Sequence, residues 1–262
     1  MMVKAIIFDL DDTLLWDQRS VKEAFAATSE AARDKYDLDP ERLEEAVRKE
    51  ATRLYQSYET YPFTQMIGIN PFEGLWGNFL DEDDQFKQLA KVVPAYRKEA
   101  WVNGLKVLGV DDPDFGEELA EQFPKERRKR PFIYEDTFTL LDQLHGHYQL
   151  LLLTNGSPDL QMTKLEITPE ISPYFDHILI SGAFGRGKPD PAIFEHALSL
   201  LGVSAEEALM VGDNLMTDIL GANQAGIPSV WVNRHGKRAG EVKPVYEIKQ
   251  LLELNELLTS IE

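Results

Sequence analysis

Carboxylates in this chain recur at the ends of short apolar runs, where several of them can meet at one point. Asp9-Leu10-Asp11-Asp12-Thr13 directly follows Ala5-Ile6-Ile7-Phe8. If that run is a buried strand, Asp9 and Asp11 point into one loop site. Three acids in four positions there repel one another strongly unless a cation or a shared proton compensates. A hard, oxygen-seeking ion such as Mg2+ suits such a cluster. Gly212-Asp213-Asn214, with Asp218 five residues after Asp213, repeats the arrangement behind Ala208-Leu209-Met210-Val211. Two further carboxylates beside a buried strand strengthen the metal reading. Thr154-Asn155-Gly156 lies between Leu150-Leu151-Leu152-Leu153 and Ser157, so a hydroxyl, an amide and backbone N–H groups converge as an oxyanion site requires. Lys188-Pro189-Asp190 sets a lysine before a rigid helix entry. Taken singly, each segment is also what an acidic turn, a strand-turn-helix junction or a helix start would contain.

The elements that must position these residues follow from apolar patterning. Continuous apolar runs at 5–8, 150–153, 208–211 and 229–232, with a fifth at 177–180 ending in Ser181-Gly182, suit parallel strands buried on both faces. Helical patterns alternate with them. Ser157-Pro158-Asp159 supplies an N-cap and an N1 proline, and Asp190-Pro191 opens a helix closed by Gly202. Strands alternating with helices imply an α/β fold with a parallel sheet. Residues 16–132 break the alternation, with helical patterns at 20–36, 41–58, 85–108 and 114–123 and no convincing strand. This stretch reads as an inserted α-helical domain. The spacing of Ser20 and Glu23 suggests a capping box, and Asp39-Pro40 a second helix start. Residues 61–80, rich in aromatics, Gly and Pro, read as a loop, whose aromatics could line a pocket or pack the insert's core. Trp16 and Asp17 are expected to form a hinge, with substrate contact as the alternative. Residues 245–258 read as a terminal amphipathic helix on the core, with a dimer stripe as the alternative.

Composition narrows the function classes. With 27 basic against 45 acidic residues the net charge is −18, and 43% of the 262 residues are apolar. Such a field disfavours nucleic acid and anionic membranes, and the apolar content fits a folded core. There are no cysteines, so disulfides, thiolate metal sites and cysteine nucleophiles are excluded, and a cytoplasmic location is expected. No segment approaches the roughly 18 apolar residues of a spanning helix. The five histidines, His145, His147, His177, His196 and His235, show no metal spacing linked to the acids, and His145-Gly146-His147 reads as a turn. The runs 81–84 and 125–130 read as solvated helix ends or connections. In the second run, Arg127 or Arg128 could instead reach an anionic substrate. A monomer is expected over a dimer.

The four motifs, present together and in order, resemble those of the haloacid dehalogenase (HAD) superfamily of phosphohydrolases. The resemblance covers the α/β part and implies a doubly wound, Rossmann-like core of residues 1–15 and 133–262. The helical insert, 16–132, then looks like that superfamily's cap, set between the first and second motifs. Carried over, the resemblance makes Asp9 a nucleophile that becomes an aspartyl phosphate and Asp11 the general acid and base. Thr154, with the backbone around Asn155 and Gly156, would hold the phosphoryl oxygens, and Lys188 would neutralise their charge. Asp9, the Asp11 carbonyl and Asp213 would ligate Mg2+, supported by Asp218, Asn214 and Thr13. Dehalogenase relatives need no acid two residues after the nucleophile, and the related ion-pumping ATPases carry threonine there, so Asp11 argues for a phosphatase that turns over. The expected partner is a small phosphorylated metabolite, because a cap of over 100 residues would obstruct a protein-bound phosphate. Phosphoserine, sugar phosphates, phosphoglycolate and nucleoside monophosphates all fit. The alternatives are a phosphomutase, a 2-haloacid dehalogenase, or a non-catalytic regulator that keeps the Mg2+ and phosphate site.

Overall fold

The computed structural model of the chain describes residues 2–261. Strands β1 (Ala5–Phe8), β2 (Gln149–Thr154), β3 (His177–Ile180), β4 (Ala208–Gly212), β5 (Ser229–Val232) and β6 (Tyr246–Ile248) form one parallel sheet ordered β3-β2-β1-β4-β5-β6. The helices are α1 (Asp17–Tyr36), α2 (Pro40–Tyr55), α3 (Tyr61–Ile67), α4 (Pro71–Gly74), α5 (Asp84–Val107) and α6 (Pro113–Arg128), then α7 (Thr137–Leu144), α8 (Pro158–Glu166), α9 (Ser181–Phe184), α10 (Pro191–Leu201), α11 (Leu220–Gln224) and α12 (Glu253–Ile261). This is the α/β parallel sheet that the alternating runs imply, in the Rossmann-like form that the resemblance implies.

Every residue of β1 and β4 is buried, which is why both are unbroken apolar runs rather than alternating ones. Ile7, Leu151, Leu153 and Met210 pack in one cluster with Ile193, Phe194, Ala197 and Leu201 of α10. Strand order reverses at β1 and β4, and in open α/β sheets the crevice at such a switch point, beyond the carboxyl ends of the strands, is where ligands bind.

The chain folds as two units. One carries the sheet, reaching Trp16 and resuming over Ile133–Gly156 and from Thr168; the other comprises Asp17–Phe132 and Ser157–Ile167. Helix α8, which the sequence division places in the α/β part, packs with the inserted helices because Leu160 joins their apolar core. Within that unit Phe25, Trp101 and Phe123 form an aromatic centre with ring centroids 4.5 to 5.8 Å apart. Gly104 and Gly116 let helices cross closely, since an added Cβ would come within 2.5 Å of Val47 and 2.6 Å of Val102.

Three local expectations are corrected. Residues 61–80 hold α3 and α4 rather than a loop; α4 starts with Asn70 and Glu73 in a reciprocal capping box and Pro at its first turn. Helix α1 begins at Asp17, so Ser20 lies inside it, and its Oγ accepts from Phe132 N–H at 3.0 Å. Residues 245–258 contribute strand β6 before α12, not one continuous helix. Asp39 caps α2 as expected, accepting from Glu41 and Arg42 N–H groups.

Candidate active site

Asp9 extends β1 by one residue, its N–H donating to Val211 O at 3.0 Å, so the β1–β4 ladder sets the direction of its side chain. Its carboxylate is nearly buried and both oxygens are held. Lys188 Nζ donates to Oδ1 at 2.6 Å, and Thr13 Oγ donates to Oδ2 at 3.0 Å. Lys188 also donates to Leu153 O at 2.8 Å and pairs with Asp218 Oδ1 at 2.8 Å. Burial alone would lower the lysine pKa, but Asp218 and Asp9 outweigh it and raise it, so the ammonium stays charged. The loop turns sharply after Asp11 because Asp12 adopts a left-handed backbone, φ 60°, which a short polar side chain tolerates better than most.

Asp213 and Asp218 reach the same point from the end of β4. Asp213 N–H donates to Thr13 Oγ at 3.1 Å, tying this loop to the first. Asn214 then opens a π-helical turn, Leu215–Ile219, its Oδ1 accepting from Met216 N–H at 2.9 Å while its own N–H donates to Asp218 Oδ2 at 3.0 Å. Single π turns commonly mark functional sites. One oxygen each from Asp9, Asp213 and Asp218 lie within 4.8 Å of one another.

Three carboxylates face one ammonium, and the imbalance shows in the titration of Asp213 and Asp218. Burial, then the charges of Asp9, Asp218 and Asp12, push the Asp213 carboxyl up to about 9 despite Lys188. Burial also drives Asp218 upward, against the pull of Lys188. An all-oxygen, over-negative cluster is what a hard divalent cation compensates, so the residues fit Mg2+. No histidine belongs to a potential metal-ligand group among the described residues.

Thr154, 1% exposed, ends β2. Asn155 clasps the Lys188 main chain, its Nδ2 donating to Lys188 O at 2.9 Å and its Oδ1 accepting from Lys188 N–H at 2.8 Å. Gly156, at φ 143°, donates its N–H to Ser181 Oγ at 2.8 Å. Two of the groups expected to meet phosphate therefore build the loop and hold the lysine. Ser181, fully buried at the end of β3, escapes sequence reasoning because one serine after a strand carries no chemical signal; its only trace is the strand ending in Ser181-Gly182.

One other expectation meets different surroundings. Arg127 is not a solvated helix end: its side chain is 2% exposed, paired with Asp17 and stacked over Trp76 with 4.6 Å from Cζ to the ring centroid. Burial would raise the Asp17 carboxyl, but Lys164, Arg127 and Arg48 together hold it below the usual range. Trp16, at the other side of the expected hinge, stacks on Tyr134 at 5.2 Å.

A family model described as haloacid dehalogenase-like hydrolase matches residues 3–226. The phosphoserine phosphatase of Thermus thermophilus is 36% identical over 235 residues, 88% of this chain and 89% of that protein. The N-acylneuraminate-9-phosphatase of Mus musculus is 38% identical over 157 residues, 59% of this chain and 63% of that one. A crystal structure of a HAD-hydrolase from Bacillus subtilis aligns with a TM-score of 0.69 over 99% of this chain and all of its own, at 23% identity, a likeness of fold.

Proposed function

The chain belongs to the haloacid dehalogenase-like hydrolase family, and from that premise we propose that it is a Mg2+-dependent phosphatase of small phosphomonoesters, with Asp9 as the nucleophile. The observation that carries the reading is the placement of the Asp9 carboxylate between Lys188 Nζ and Thr13 Oγ, with Asp213 and Asp218 converging on it. An anionic carboxylate approaches an anionic phosphate only where positive charge screens the repulsion. Lys188 supplies part of that charge. Asp9, Asp213 and the Asp11 main-chain carbonyl would hold Mg2+, with Asp218 in support, and the ion would supply the rest by neutralising phosphoryl oxygens.

In the first step an Asp9 oxygen bonds to phosphorus as the bond to the leaving oxygen breaks, and Asp11 gives that oxygen a proton. In the second, Asp11 takes a proton from water, whose oxygen attacks phosphorus and releases phosphate from Asp9. Lys188 stays protonated throughout, and Thr13 keeps Asp9 in line by bonding its second oxygen. Asp11 favours this reaction over dehalogenation, which has no leaving alkoxide to protonate. Relatives that act on phosphoserine and on an N-acylneuraminate 9-phosphate support the class of a small metabolite esterified to phosphate; among phosphoserine, sugar phosphates, phosphoglycolate and nucleoside monophosphates, the substrate is the one with the highest kcat/KM.

Phosphate release from p-nitrophenyl phosphate and from those four classes tests the proposal directly. Wild type with Mg2+ is expected to release phosphate, EDTA to stop it, and folded Asp9→Asn to release none. Turnover retained by Asp9→Asn would remove Asp9 from the nucleophile's role.

A further inference from the structure

Strand β5 brings no charged side chain to the site, yet it touches the loop that carries Asp213. Gly212 and Trp231 are partners in the parallel register, so Trp231 lies beside the last residue of β4. Its side chain is almost wholly buried, and its indole Nε1–H donates to the main-chain carbonyl of Asp213 at 2.8 Å. On the other side of the same residue, Asp213 N–H donates to Thr13 Oγ at 3.1 Å, and that hydroxyl donates onward to Asp9 Oδ2 at 3.0 Å.

Both peptide groups flanking the Asp213 Cα are thereby fixed, one by the nucleophile loop and one by Trp231. Two fixed peptides leave the Cα–Cβ bond a single direction, and the carboxylate swings only about its own side-chain torsions. An indole is a donor without acceptor capacity, so it holds the carbonyl and offers no competing oxygen to a cation. Phenylalanine would fill most of the same space but leave the Asp213 carbonyl with one partner fewer.

We propose that Trp231 is a positioning residue for the Asp213 carboxylate, its indole N–H fixing the Asp213 main chain so that the carboxylate is presented to a divalent cation together with Asp9. The proposal rests on the reading of Asp213 as a metal ligand. Groups that orient a ligand from behind typically contribute about 10–100-fold in metal affinity or activity.

Mg2+ binding to wild type and to Trp231→Phe, measured by calorimetry without substrate and with melting curves as the control for folding, tests it. Folded Trp231→Phe is expected to bind Mg2+ about 10–100-fold more weakly. Its kcat should be low at limiting Mg2+ and recover as Mg2+ is raised, with KM for p-nitrophenyl phosphate unchanged at saturating metal. Equal Mg2+ affinity in the two folded proteins would overturn the positioning role alone. Wild type that binds no Mg2+ would overturn the metal reading and this proposal with it. Should Trp231→Phe fail to fold, the Trp231 indole N–H resonance of 15N-labelled wild type serves the same test. Slow hydrogen exchange and a shift on Mg2+ saturation support the proposal, and a resonance unmoved by saturating Mg2+ overturns it.

Discussion

Gly212 leaves the space that Asp218 occupies: a Cβ added there would lie 2.3 Å from Asp218 Oδ2 and 2.5 Å from its Cγ. Gly212→Ala must therefore displace the carboxylate paired with Lys188. Misplacement of about 1 Å at a reacting centre can cost about 10²-fold in rate, so kcat should fall by that order while the circular dichroism spectrum stays that of wild type. An unchanged kcat would show that Asp218 does not hold the lysine in place. Proton linkage provides a second prediction. The Asp213 carboxyl is raised from 3.8 to about 9 without metal, so the folded state holds its proton more tightly than the unfolded one. The stability it contributes is complete below the unfolded value and is lost as pH climbs through the folded one. A cation requires the anion, so Mg2+ binding at pH 7 should release about one proton, with release fading above pH 9. Calorimetry in buffers of different ionisation enthalpy measures this, and zero release at pH 7 would contradict it. At this scale the sequence was most legible where residue type itself is unusual, as with acids behind an apolar run. Ser181 and Trp231 act through hydrogen bonds to main-chain groups, and nothing in a serine or a buried tryptophan marks which carbonyl or amide it will meet.

Elements were legible where the pattern was long or the cap explicit. The runs at β1, β4 and β5, the Ser157 cap of α8 and the Gly202 end of α10 all lie where their signals stand. Helices α3 and α4 were hidden because each is seven residues or fewer, too short for a 3.6-residue period to show among aromatics and prolines. Strand β6 was hidden because its three residues run into the apolar spacing of α12. Helix α8 illustrates a third limit: its cap predicts a helix but not its neighbours. Lys164 on α8 is buried and pairs with buried Glu73 of α4 at 3.0 Å, and Gln161 Nε2 donates to the same carboxylate at 3.2 Å. Glu73→Ala removes one of the carboxylates that face buried Lys164, Asp17 being another, and should destabilise the helical unit by about 1–3 kcal/mol. The double variant Glu73→Leu with Lys164→Met should recover most of that loss. Urea unfolding followed by tryptophan fluorescence reads both, and a loss below about 1 kcal/mol in the single variant would mean the pair is solvated as a surface pair is.

The charge of the whole molecule sets the field in which an anionic substrate arrives. A net −18 repels a phosphate dianion over the Debye length, about 30 Å at 0.01 M salt and about 8 Å at 0.15 M. Association of like charges speeds up as salt screens them, so kcat/KM for a small phosphomonoester should rise between these ionic strengths at constant free Mg2+. A fall would place a dominant local positive field at the site's entrance. The run of helices between β1 and β2 was legible as a long break in strand alternation, since helices without strands cannot extend a parallel sheet. The assignment of 157–167 to the helical unit was not, because packing partners depend on surfaces that the chain's order does not specify.

In the proposed mechanism Asp9 is the residue that takes the phosphoryl group. Asp11→Asn should slow the second step and accumulate the aspartyl phosphate. Acid quenching of that variant during turnover of p-nitrophenyl phosphate, followed by borohydride reduction and peptide mass mapping, identifies the residue that carries the phosphoryl group. Conversion of residue 9 to homoserine, with every other carboxylate intact, is the result expected. Reduction at a different aspartate or glutamate, or turnover by wild type with no reducible acyl phosphate in either protein, would contradict it.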